Sequence, residues 1–412
     1  MIRLPKEIAH MIKTIEDAGY EAYAVGGCVR DSILGIPPED WDLTSNASRE
    51  TLEALFPDAA IVNKKLGVMR ITEGEVKADI AAYRIDGEYK DYRRPETVAF
   101  TMEISEDLKR RDFTMNAIAL SPGRGVVDPF QGRSDIEGKL IRGIGDPRLR
   151  FEEDALRILR AIRFAAQLDF EIDGDTLQAM KERAGLLKHI SFERIREEFT
   201  KTITAGHGGK GLGLFLETGV LTYILGEGCM DRVGDTVREK LGLLAEKIDQ
   251  AEKDPSIRLA LFYLCFEKDC ALAAIDQLGY SNERKDLLQY AVSRLAELDG
   301  IRDKVELKKL ISKVGLEVYR YLMEVSKQQY RVYRLDETAL RHRTELLDAI
   351  QGNGEPIFIE DLAVNGNDLI GIGIKEGVAI GKALNYMLTT VHQYPEKNER
   401  DQLLKMAERI KI

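Results

Sequence analysis

Two short runs near the start of the chain hold residue types suited to phosphoryl-transfer chemistry. The first is Gly26-Gly27-Cys28-Val29-Arg30-Asp31, and the second is Asp40-Trp41-Asp42. Paired glycines permit a tight turn and close approach by another molecule. A turn that opens a helix aims free backbone N–H groups outward, where they suit a phosphate, and Arg30 adds a fixed positive charge. The first run therefore predicts a phosphate-binding turn.

The second run supplies candidate metal ligands. Alternation along a strand places Asp40 and Asp42 on one face and Trp41 on the other. Two carboxylates about 7 Å apart along a strand can share a pair of hard cations such as Mg²⁺. A glycine pair alone is usually an ordinary turn, and D-x-D alone is usually a solvated strand end. Together, in this order, they predict a nucleotidyl-transfer site in which Asp40 and Asp42 are both catalytic and metal-binding.

Short elements must position these residues. Residues 22–25 are predicted to form a buried strand that ends at the glycines, followed by a helix that stops at Gly35. Pro37-Pro38 break that helix, and residues 39–43 resume as a strand. Apolar positions at helical spacing predict a leading helix within residues 1–20. Ser48 is a candidate cap for a further helix that reaches Phe56.

A third carboxylate is predicted from the strands that follow, at 60–62, 68–72 and 76–84. In the last of these, Asp79 shares a face with Ala81 and Tyr83, so it can point into the same site. There it would accept the proton of an attacking hydroxyl or complete the coordination of one metal. The alternative is a half-exposed strand acid without a role.

Residues 105–120 are predicted to form one helix that carries further substrate contacts. Arg111 can reach a triphosphate, and Asp112 or Asn116 can read a ribose hydroxyl. The alternative for this R-R-D run is a solvated start of a helix. A turn at 127–132 and a closing strand at 140–144 then end the head of the molecule.

The spacing of apolar residues becomes helical again over 151–166. Asp154, Arg157 and Arg160 recur at intervals of three on one face, with Arg163 a turn further on. One interpretation is a salt-bridged solvent face. The other is base reading, because cytosine and adenine both present an amino donor beside a bare ring nitrogen. A carboxylate and a guanidinium suit both bases, whereas guanine and uracil leave the same pair unsatisfied.

These motifs resemble those of class II CCA-adding tRNA nucleotidyltransferases of the bacterial type without a His-Asp phosphohydrolase domain. That family and its poly(A) polymerase relatives belong to the polymerase-β-like nucleotidyltransferase superfamily. The resemblance rests on G-G-x-x-R-D, D-x-D, R-R-D and E-D-x-x-R, and it covers most of the chain. It implies catalytic residues at Asp40, Asp42 and Asp79, although family members usually carry Glu at the third position. It implies nucleotide-binding residues at Gly27, Arg30, Arg111, Asp112, Asp154, Arg157, Arg160 and Arg163.

The resemblance also assigns a role to residues 86–96, which are almost all polar or charged. Their composition predicts a mobile loop, and the bland interpretation is an ordinary hairpin loop. In the resembling enzymes a flexible loop here helps to switch the site from C to A addition. Its presence therefore disfavours a member that adds only C.

The fold class predicted is α+β. A mixed α/β nucleotidyltransferase head spans 1–145, a neck with the base-template helix spans 146–205, a helical body spans 206–330, and a helical, tRNA-binding tail spans 331–412. Candidate helices in the neck and body are 174–184, 191–204, 209–217, 231–251, 255–266, 268–277, 282–298 and 303–325. In the tail, a Gly-rich turn within 364–377 can present N–H groups to a nucleic-acid phosphate, although such turns are common.

Composition limits the possible partners and locations. The net charge of −10 is unusual for a nucleic-acid-binding protein, so one local basic cleft is predicted in an otherwise acidic surface. Its candidates are Arg93, Arg94, Lys109, Arg110, Arg111, Arg142, Arg148, Arg150, Arg157, Arg160 and Arg163. No run reaches the roughly 18 apolar residues of a membrane span, and no signal peptide is evident. Scattered cysteines and isolated histidines argue against a structural zinc. A cytoplasmic protein is expected.

The function predicted is addition of the 3′-terminal CCA sequence to tRNA from CTP and ATP, with release of pyrophosphate and Mg²⁺ as cofactor. We expect no membrane partner and either a monomer or a homodimer. An A-adding specialist and a poly(A) polymerase share the same head and remain open. A non-catalytic RNA-binding protein is the distant alternative, and it would predict damage to D-x-D or to the template motif.

Overall fold

The computed structural model describes residues 4–63, 67–87, 89, 92, 96–230 and 232–409. The chain divides into two compact units, an N-terminal unit of Met1–Gly234 and a C-terminal unit of Asp235–Ile412. The N-terminal unit contains a mixed sheet and helices, and the described part of the C-terminal unit is helical. This agrees with the predicted α+β class. The predicted boundaries at 145, 205 and 330 stay predictions.

Eleven strands are found among the described residues, all in the N-terminal unit. They are β1 Ala22–Val25, β2 Trp41–Ser45, β3 Ala60–Asn63, β4 Val68–Glu73, β5 Val76–Ala82, β6 Arg84–Asp86, β7 Val98–Phe100, β8 Ala119–Ser121, β9 Gly125–Val127, β10 Leu140–Ile141 and β11 Glu171–Ile172. Seven of them form one sheet in the order β3-β4-β5-β2-β1-β8-β9. In this sheet β2 and β5 run parallel, and the other neighbours are antiparallel. The pairs β6–β7 and β10–β11 form two small separate sheets.

Helices surround the sheet and continue beyond it. In the N-terminal unit they are α1 Lys6–Asp17, α2 Gly27–Leu34, α3 Arg49–Leu55, α4 Ile104–Lys109, α5 Gly132–Glu137, α6 Pro147–Glu153, α7 Leu156–Leu168, α8 Gly174–Arg183, α9 Phe192–Ile203, α10 Gly208–Thr218, α11 Leu221–Leu225 and α12 Glu227–Met230. In the C-terminal unit they are α13 Asp235–Lys247, α14 Pro255–Tyr263, α15 Lys268–Leu278, α16 Asn282–Arg294, α17 Lys304–Val314, α18 Leu316–Tyr333, α19 Thr338–Gly352, α20 Gly366–Gly371, α21 Val378–Gln393 and α22 Arg400–Arg409. No described helix has the length and apolarity needed to cross a membrane.

The local predictions around the first motif are confirmed. All four residues of β1 are buried, and α2 starts at Gly27 and ends at Leu34. Gly35 caps it with a φ of 72°, the left-handed conformation that glycine adopts easily. The Ser48 hydroxyl accepts a hydrogen bond from the Thr51 backbone and caps α3. These elements form where the sequence signals are short-range.

The single helix predicted over 105–120 is wrong. Helix α4 ends at Lys109, a 3₁₀ turn covers Thr114–Asn116, and β8 follows. Phe113 pairs with Gly143 as an isolated β-bridge, and the Thr114 N–H donates to the Arg142 carbonyl at 2.9 Å. Those backbone groups bond to a distant segment instead of continuing a helix. The segment 140–144, predicted as a closing strand, contributes only the short β10, which pairs with β11.

Two other predicted helices are interrupted. The helix expected over 151–166 breaks at Asp154, whose backbone is extended at φ −139° and ψ 102°, so α6 and α7 are separate. As a result α6 packs on α8, while α7 packs on α9 and α10. The helix expected over 303–325 breaks at Gly315, whose φ of 86° lies outside the helical region. In both cases the helical spacing of apolar residues continues through the break, and Asp154 or Gly315 ends the helix there.

Candidate active site

The Gly26-Gly27 turn lies against two arginine side chains. A Cβ atom at Gly26, whose φ is 86°, would lie only 2.9 Å from Nη1 of Arg111. A Cβ atom at Gly27 would lie 3.6 Å from Nη2 of Arg30. The absence of a side chain at Gly26 therefore lets the Arg111 guanidinium lie close to the turn, whereas the distance at Gly27 is an ordinary van der Waals contact. Two fixed positive charges beside the N–H groups at the start of a helix form a site suited to a phosphate.

Among the described residues, Arg111 is held by one carboxylate. Its Nη2 lies 3.4 Å from Asp107, a fully buried carboxylate that also binds Arg110. The Nε of Arg111 is buried and has no hydrogen-bond partner in the described part of the chain. Desolvation holds the pKa of Arg111 below its ordinary value, and the opposing charge of Asp107 offsets only part of that shift. A buried guanidinium with an unused donor is well suited to an anionic ligand.

The D-x-D carboxylates stand on the exposed side of β2, as the alternation predicts. Trp41 is buried, while Asp40 and Asp42 are exposed. Neither carboxylate group forms a hydrogen bond or ion pair with a residue that the structure describes. Partial desolvation raises the pKa of Asp42, Arg111 opposes the rise, and the neighbouring charges of Asp79 and Asp40 add to it. The start of β2, the central strand of the sheet, therefore carries negative charge that a cation would relieve.

Asp79 lies beside Asp42, and its carboxylate is already engaged. The two residues are register partners on the parallel strands β5 and β2. On the other side, Arg70 of β4 is the register partner of Asp79. Arg70 donates from Nε to Oδ1 at 2.6 Å and from Nη2 to Oδ2 at 2.7 Å, so both oxygens of Asp79 are held. Our sequence analysis missed Arg70, although the two-residue turn at 74–75 fixes this pairing.

The donor set fits a divalent cation that is completed by other ligands. Among the described residues, no group of three or more His, Cys, Asp or Glu side chains is placed to hold a metal ion. The protein thus offers the carboxylates of Asp40 and Asp42, with Asp79 held by Arg70. Mg²⁺ usually keeps several waters and binds through one or two carboxylates together with substrate phosphates. Two exposed, unpaired carboxylates are compatible with that mode of binding.

A chain of hydrogen bonds connects the phosphate side to α7. Arg30 donates to the Asn116 side-chain oxygen at 2.7 Å, and Asn116 donates to Oδ1 of Asp112 at 3.0 Å. Arg160 donates to Oδ2 of Asp112 at 2.8 Å. Burial alone would raise the pKa of Asp112, but Arg160 and Asn116 outweigh it and hold that pKa well below its ordinary value. Asp112 and Asn116 therefore fix two arginines in position.

Phe164 gathers three guanidinium groups around its ring. The guanidinium carbons of Arg30, Arg160 and Arg163 lie 4.9, 5.3 and 4.3 Å from the ring centroid. Arg163 also donates to the buried Glu198 of α9 at 2.6 Å. A cation over an aromatic face is attracted by the ring quadrupole. Our sequence analysis assigned no role to Phe164 or to Glu198.

The pair predicted to read the base sits at the break between α6 and α7. Asp154 Oδ1 accepts from the N–H of Leu156, the first residue of α7, at 3.1 Å, and Oδ2 accepts from Arg194 at 3.3 Å. Arg157 donates to Oε2 of Glu153 at 2.6 Å and to the backbone carbonyls of Arg150 and Arg110. Both side chains are thus held by several partners. Arg194, which our sequence analysis missed, has a buried Nη1 without a partner among the described residues.

The predicted basic cleft is largely compensated by acids. Its described arginines pair with carboxylates as follows: Arg110 and Arg111 with Asp107, Arg142 with Asp135 and Asp173, Arg148 with Glu182, Arg150 and Arg157 with Glu153, Arg160 with Asp112, and Arg163 with Glu198. Arg93 and Arg94 lie outside the described residues. The positive potential is therefore smaller than the count of arginines indicated, which agrees with the acidic net charge.

Two other predicted features are described only in part. Of the loop 86–96, residues 88, 90, 91 and 93–95 lie outside the described residues, and Asp86 is in β6. The Tyr92 ring stacks on His189 with a centroid distance of 4.7 Å. In the tail, α20 and α21 flank the Gly-rich turn, but the Asn365 side chain already accepts the N–H groups of Asn367 and Asp368. Those two donors are thereby taken from any phosphate.

Known proteins resemble both the sequence and the fold. Residues 22–142 match the model of the "Poly A polymerase head domain", and residues 169–229 match that of the "Probable RNA and SrmB-binding site of polymerase A". A CCA-adding enzyme of Streptococcus mutans is 32% identical over 402 residues, which cover 97% of this chain and 96% of that protein. One of Geobacillus thermodenitrificans is 44% identical over 216 residues, which cover 52% of this chain and 54% of that protein.

A solved structure extends the likeness to the whole fold. The Bacillus stearothermophilus CCA-adding enzyme in complex with CTP superposes with a TM-score of 0.77 at 30% identity. The match covers 98% of this chain and 96% of that chain.

Proposed function

This chain belongs to the CCA-adding enzymes, a family of tRNA nucleotidyltransferases, and from this premise we propose that it adds C, C and A to the 3′ end of tRNA. CTP and ATP are the substrates, the 3′-hydroxyl attacks the α-phosphate, and pyrophosphate leaves. One observation carries the proposal. The carboxylates of Asp40 and Asp42 have no partner among the described residues, and they lie beside a glycine turn lined by Arg30 and Arg111.

Nucleotidyltransferases of this class generally use divalent metal ions. We assign Mg²⁺ here, with Asp40 and Asp42 as its protein ligands. When bound, the ion would stabilise charge on the phosphoryl oxygens as a Lewis acid. Asp79 stands next to Asp42, in a place where it can accept the proton of the attacking hydroxyl.

The triphosphate is proposed to bind along the start of α2. Gly27 lets it approach the backbone, and Arg30 and Arg111 supply charge from two sides. Because both guanidinium groups are already positioned, they need no reorganisation as charge develops on the leaving pyrophosphate. Catalysis in this account comes from positioning and electrostatic stabilisation.

Base selection is proposed for Asp154 and Arg157. A carboxylate has about four lone-pair sites, so Asp154 can accept an exocyclic amine while it keeps Leu156 and Arg194. Arg157 uses three of its five N–H groups on protein acceptors, which leaves donors for a ring nitrogen. Arg160 and Arg163 would support the base or phosphates, and Asp112 holds Arg160 in place.

The wider proposal includes the partner and the arrangement of the chain. We propose tRNA as the macromolecular partner, gripped in part by the tail at 331–412, and a cytoplasmic location where tRNA and nucleotides meet. The head, neck, body and tail boundaries given above belong to this proposal. A monomer and a homodimer are both compatible with it.

Poly(A) polymerase is a second candidate, because the head matches a model described for that enzyme. An A-adding specialist is compatible with the same Asp154–Arg157 pair, since that pair accepts adenine.

The experiment is extension of a tRNA transcript without its CCA end, with Mg²⁺, CTP and ATP, resolved at single-nucleotide length. Growth by C, C and A followed by arrest is expected. Extension only of transcripts that already end in CC would identify an A-adding specialist, and a long A ladder would identify a poly(A) polymerase. An absence of extension would favour the RNA-binding alternative.

A further inference from the structure

We propose that Arg70 binds the phosphate on the 5′ side of the terminal nucleoside of the tRNA acceptor strand. This phosphate is the backbone charge nearest to the attacking 3′-hydroxyl. The inference rests on the proposed function and adds a contact with the RNA primer at the same site. Arg70 belongs to none of the motifs G-G-x-x-R-D, D-x-D, R-R-D and E-D-x-x-R.

The order of the strands gives the site two sides. Asp42 stands on β2, with β1 as one neighbour and β5 as the other, followed by β4. The glycine turn and Arg30 continue directly from β1 into α2, and Arg111 lies against that turn. The phosphate-binding groups are therefore on the β1 side of the carboxylates, and Asp79 and Arg70 are on the opposite side.

The chemistry assigns a substrate to each side. In phosphoryl transfer the attacking and leaving oxygens lie roughly in line, on opposite sides of the phosphorus. If the pyrophosphate leaves toward Arg30 and Arg111, the 3′-hydroxyl approaches from the side of β5 and β4. The primer strand must then pass over Asp79 and Arg70.

Arg70 has the charge and the free donors for such a contact. Asp79 on β5 is the register partner of both Asp42 on β2 and Arg70 on β4. The Cα of Arg70 is therefore about 10 Å from that of Asp42. Its side chain is 47% exposed. Nε and Nη2 hold Asp79, whereas Nη1 forms no hydrogen bond with a described residue. A guanidinium can bind one carboxylate with one edge and a phosphate oxygen with the remaining N–H groups.

The first test compares Arg70→Ala with a matched control, Arg124→Ala. Arg124 is also an exposed arginine paired with acids, Glu16 and Glu21, but it lies in the β8–β9 turn near the other edge of the sheet. We expect Arg70→Ala to raise the KM for tRNA about tenfold and to leave the KM for CTP unchanged. The slope of log(kcat/KM) for tRNA against log salt should fall by about one unit. Arg124→Ala should change none of these.

The second test removes the charge from the RNA. A tRNA carrying a methylphosphonate in place of that one phosphodiester should be used about tenfold less efficiently by the unaltered enzyme. With the methylphosphonate tRNA, the Arg70→Ala enzyme should be no more than twofold less efficient than the unaltered enzyme, because the substitution and the methylphosphonate remove the same contact. Arg70→Lys should restore part of the dependence on the phosphate charge.

If Arg70→Ala lowers the efficiency by the same factor with the unmodified tRNA and with the methylphosphonate tRNA, the proposal is overturned. Arg70 would then be only the residue that holds Asp79. An unaltered enzyme that is insensitive to the methylphosphonate would overturn it as well. Circular dichroism and thermal unfolding establish that each variant is folded. If the unaltered enzyme extends no tRNA at all, the proposed function fails, and that result is distinct from either failure of the contact.

Discussion

The charged groups at the two ends of the candidate active site are held in opposite ways. At the start of β2, Asp40 and Asp42 are exposed and have no partner among the described residues. At the start of α7, Asp154 accepts two hydrogen bonds, and Arg157 donates three. The carboxylates proposed to bind a cation are thus left uncompensated, whereas the groups proposed to discriminate between bases are fixed by their neighbours.

This difference has an energetic reason. An exposed carboxylate without a partner costs little free energy, because water solvates it in the absence of a cation. A buried guanidinium such as that of Arg157 would be costly without acceptors, and its partners also fix its direction. Rigidity at the base side allows a wrong base to leave polar groups unsatisfied instead of being accommodated.

The largest effect is expected at the metal side. Asp42→Asn should lower nucleotide incorporation about 10³-fold or more, because it removes charge from the cation site at which the transition state is stabilised. Its melting temperature should stay the same or rise, because desolvation and the charges of Asp79 and Asp40 outweigh the attraction of Arg111 and raise the pKa of Asp42, so its ionised form does not stabilise the fold. Incorporation and thermal unfolding check this, with Asp58→Asn as a control at an exposed carboxylate in the turn between α3 and β3. Retained incorporation in Asp42→Asn would remove the metal assignment.

A smaller effect on rate, with a change in specificity, is expected at the base side. Arg157→Ala should lower the kcat/KM for CTP and ATP by about 10- to 100-fold and narrow their advantage over UTP and GTP. It should also destabilise the fold by about 1–3 kcal/mol, because Glu153 and two carbonyls lose a donor. Single-nucleotide incorporation with each of the four triphosphates measures the first effect, and denaturant unfolding measures the second. Unchanged discrimination would show that the base is selected elsewhere.

A pH-dependent effect is expected at Asp112. Its pKa is lower in the folded protein than in the unfolded chain, so it stabilises the fold above its ordinary pKa of 3.8. That contribution is lost as the pH falls from this value through the lower folded pKa. Asp112→Asn should therefore be less stable at pH 7 by about 1–3 kcal/mol, and the deficit should shrink in stronger acid. Unfolding curves at several pH values test this, and a deficit independent of pH would contradict it.

The smallest effect is expected at Phe164. Phe164→Leu should raise the KM for CTP a few-fold, because three guanidinium groups lose the ring that they surround. Phe215→Leu is the control, since Phe215 is also buried and packs against Phe199. Both variants should lose similar stability from the smaller side chain. If the two also share the same KM for CTP, Phe164 is only a core residue.

Short-range signals explain what could be predicted from the sequence. The β1 strand, the Gly26 turn, α2 and the alternation around Trp41 depend on neighbours within a few residues, and all are confirmed. The break at Asp154 was missed although Asp is a good cap, because the apolar period continues through it. The pairing of Phe113 with Gly143 overrides a helical pattern and depends on a segment thirty residues away.

The partners that hold the site lie far apart along the chain. Arg30 bonds to Asn116 across 86 residues, and Arg194 bonds to Asp154 across 40. Such contacts follow from how helices and strands pack, and periodicity does not encode that packing for a single sequence. Arg70 is the exception, because a two-residue turn fixes its register with Asp79.

The most direct test of the account is the choice of nucleotide at one defined position. A tRNA transcript that ends in CC is offered ATP, CTP, GTP and UTP separately, with Mg²⁺, and the rate of single addition is measured. The account predicts addition of A, with G and U used at least about 100-fold less efficiently, and no further growth after A. Comparable use of G or U would contradict base selection by a fixed Asp154–Arg157 pair, and continued addition of A would identify a poly(A) polymerase instead of a CCA-adding enzyme.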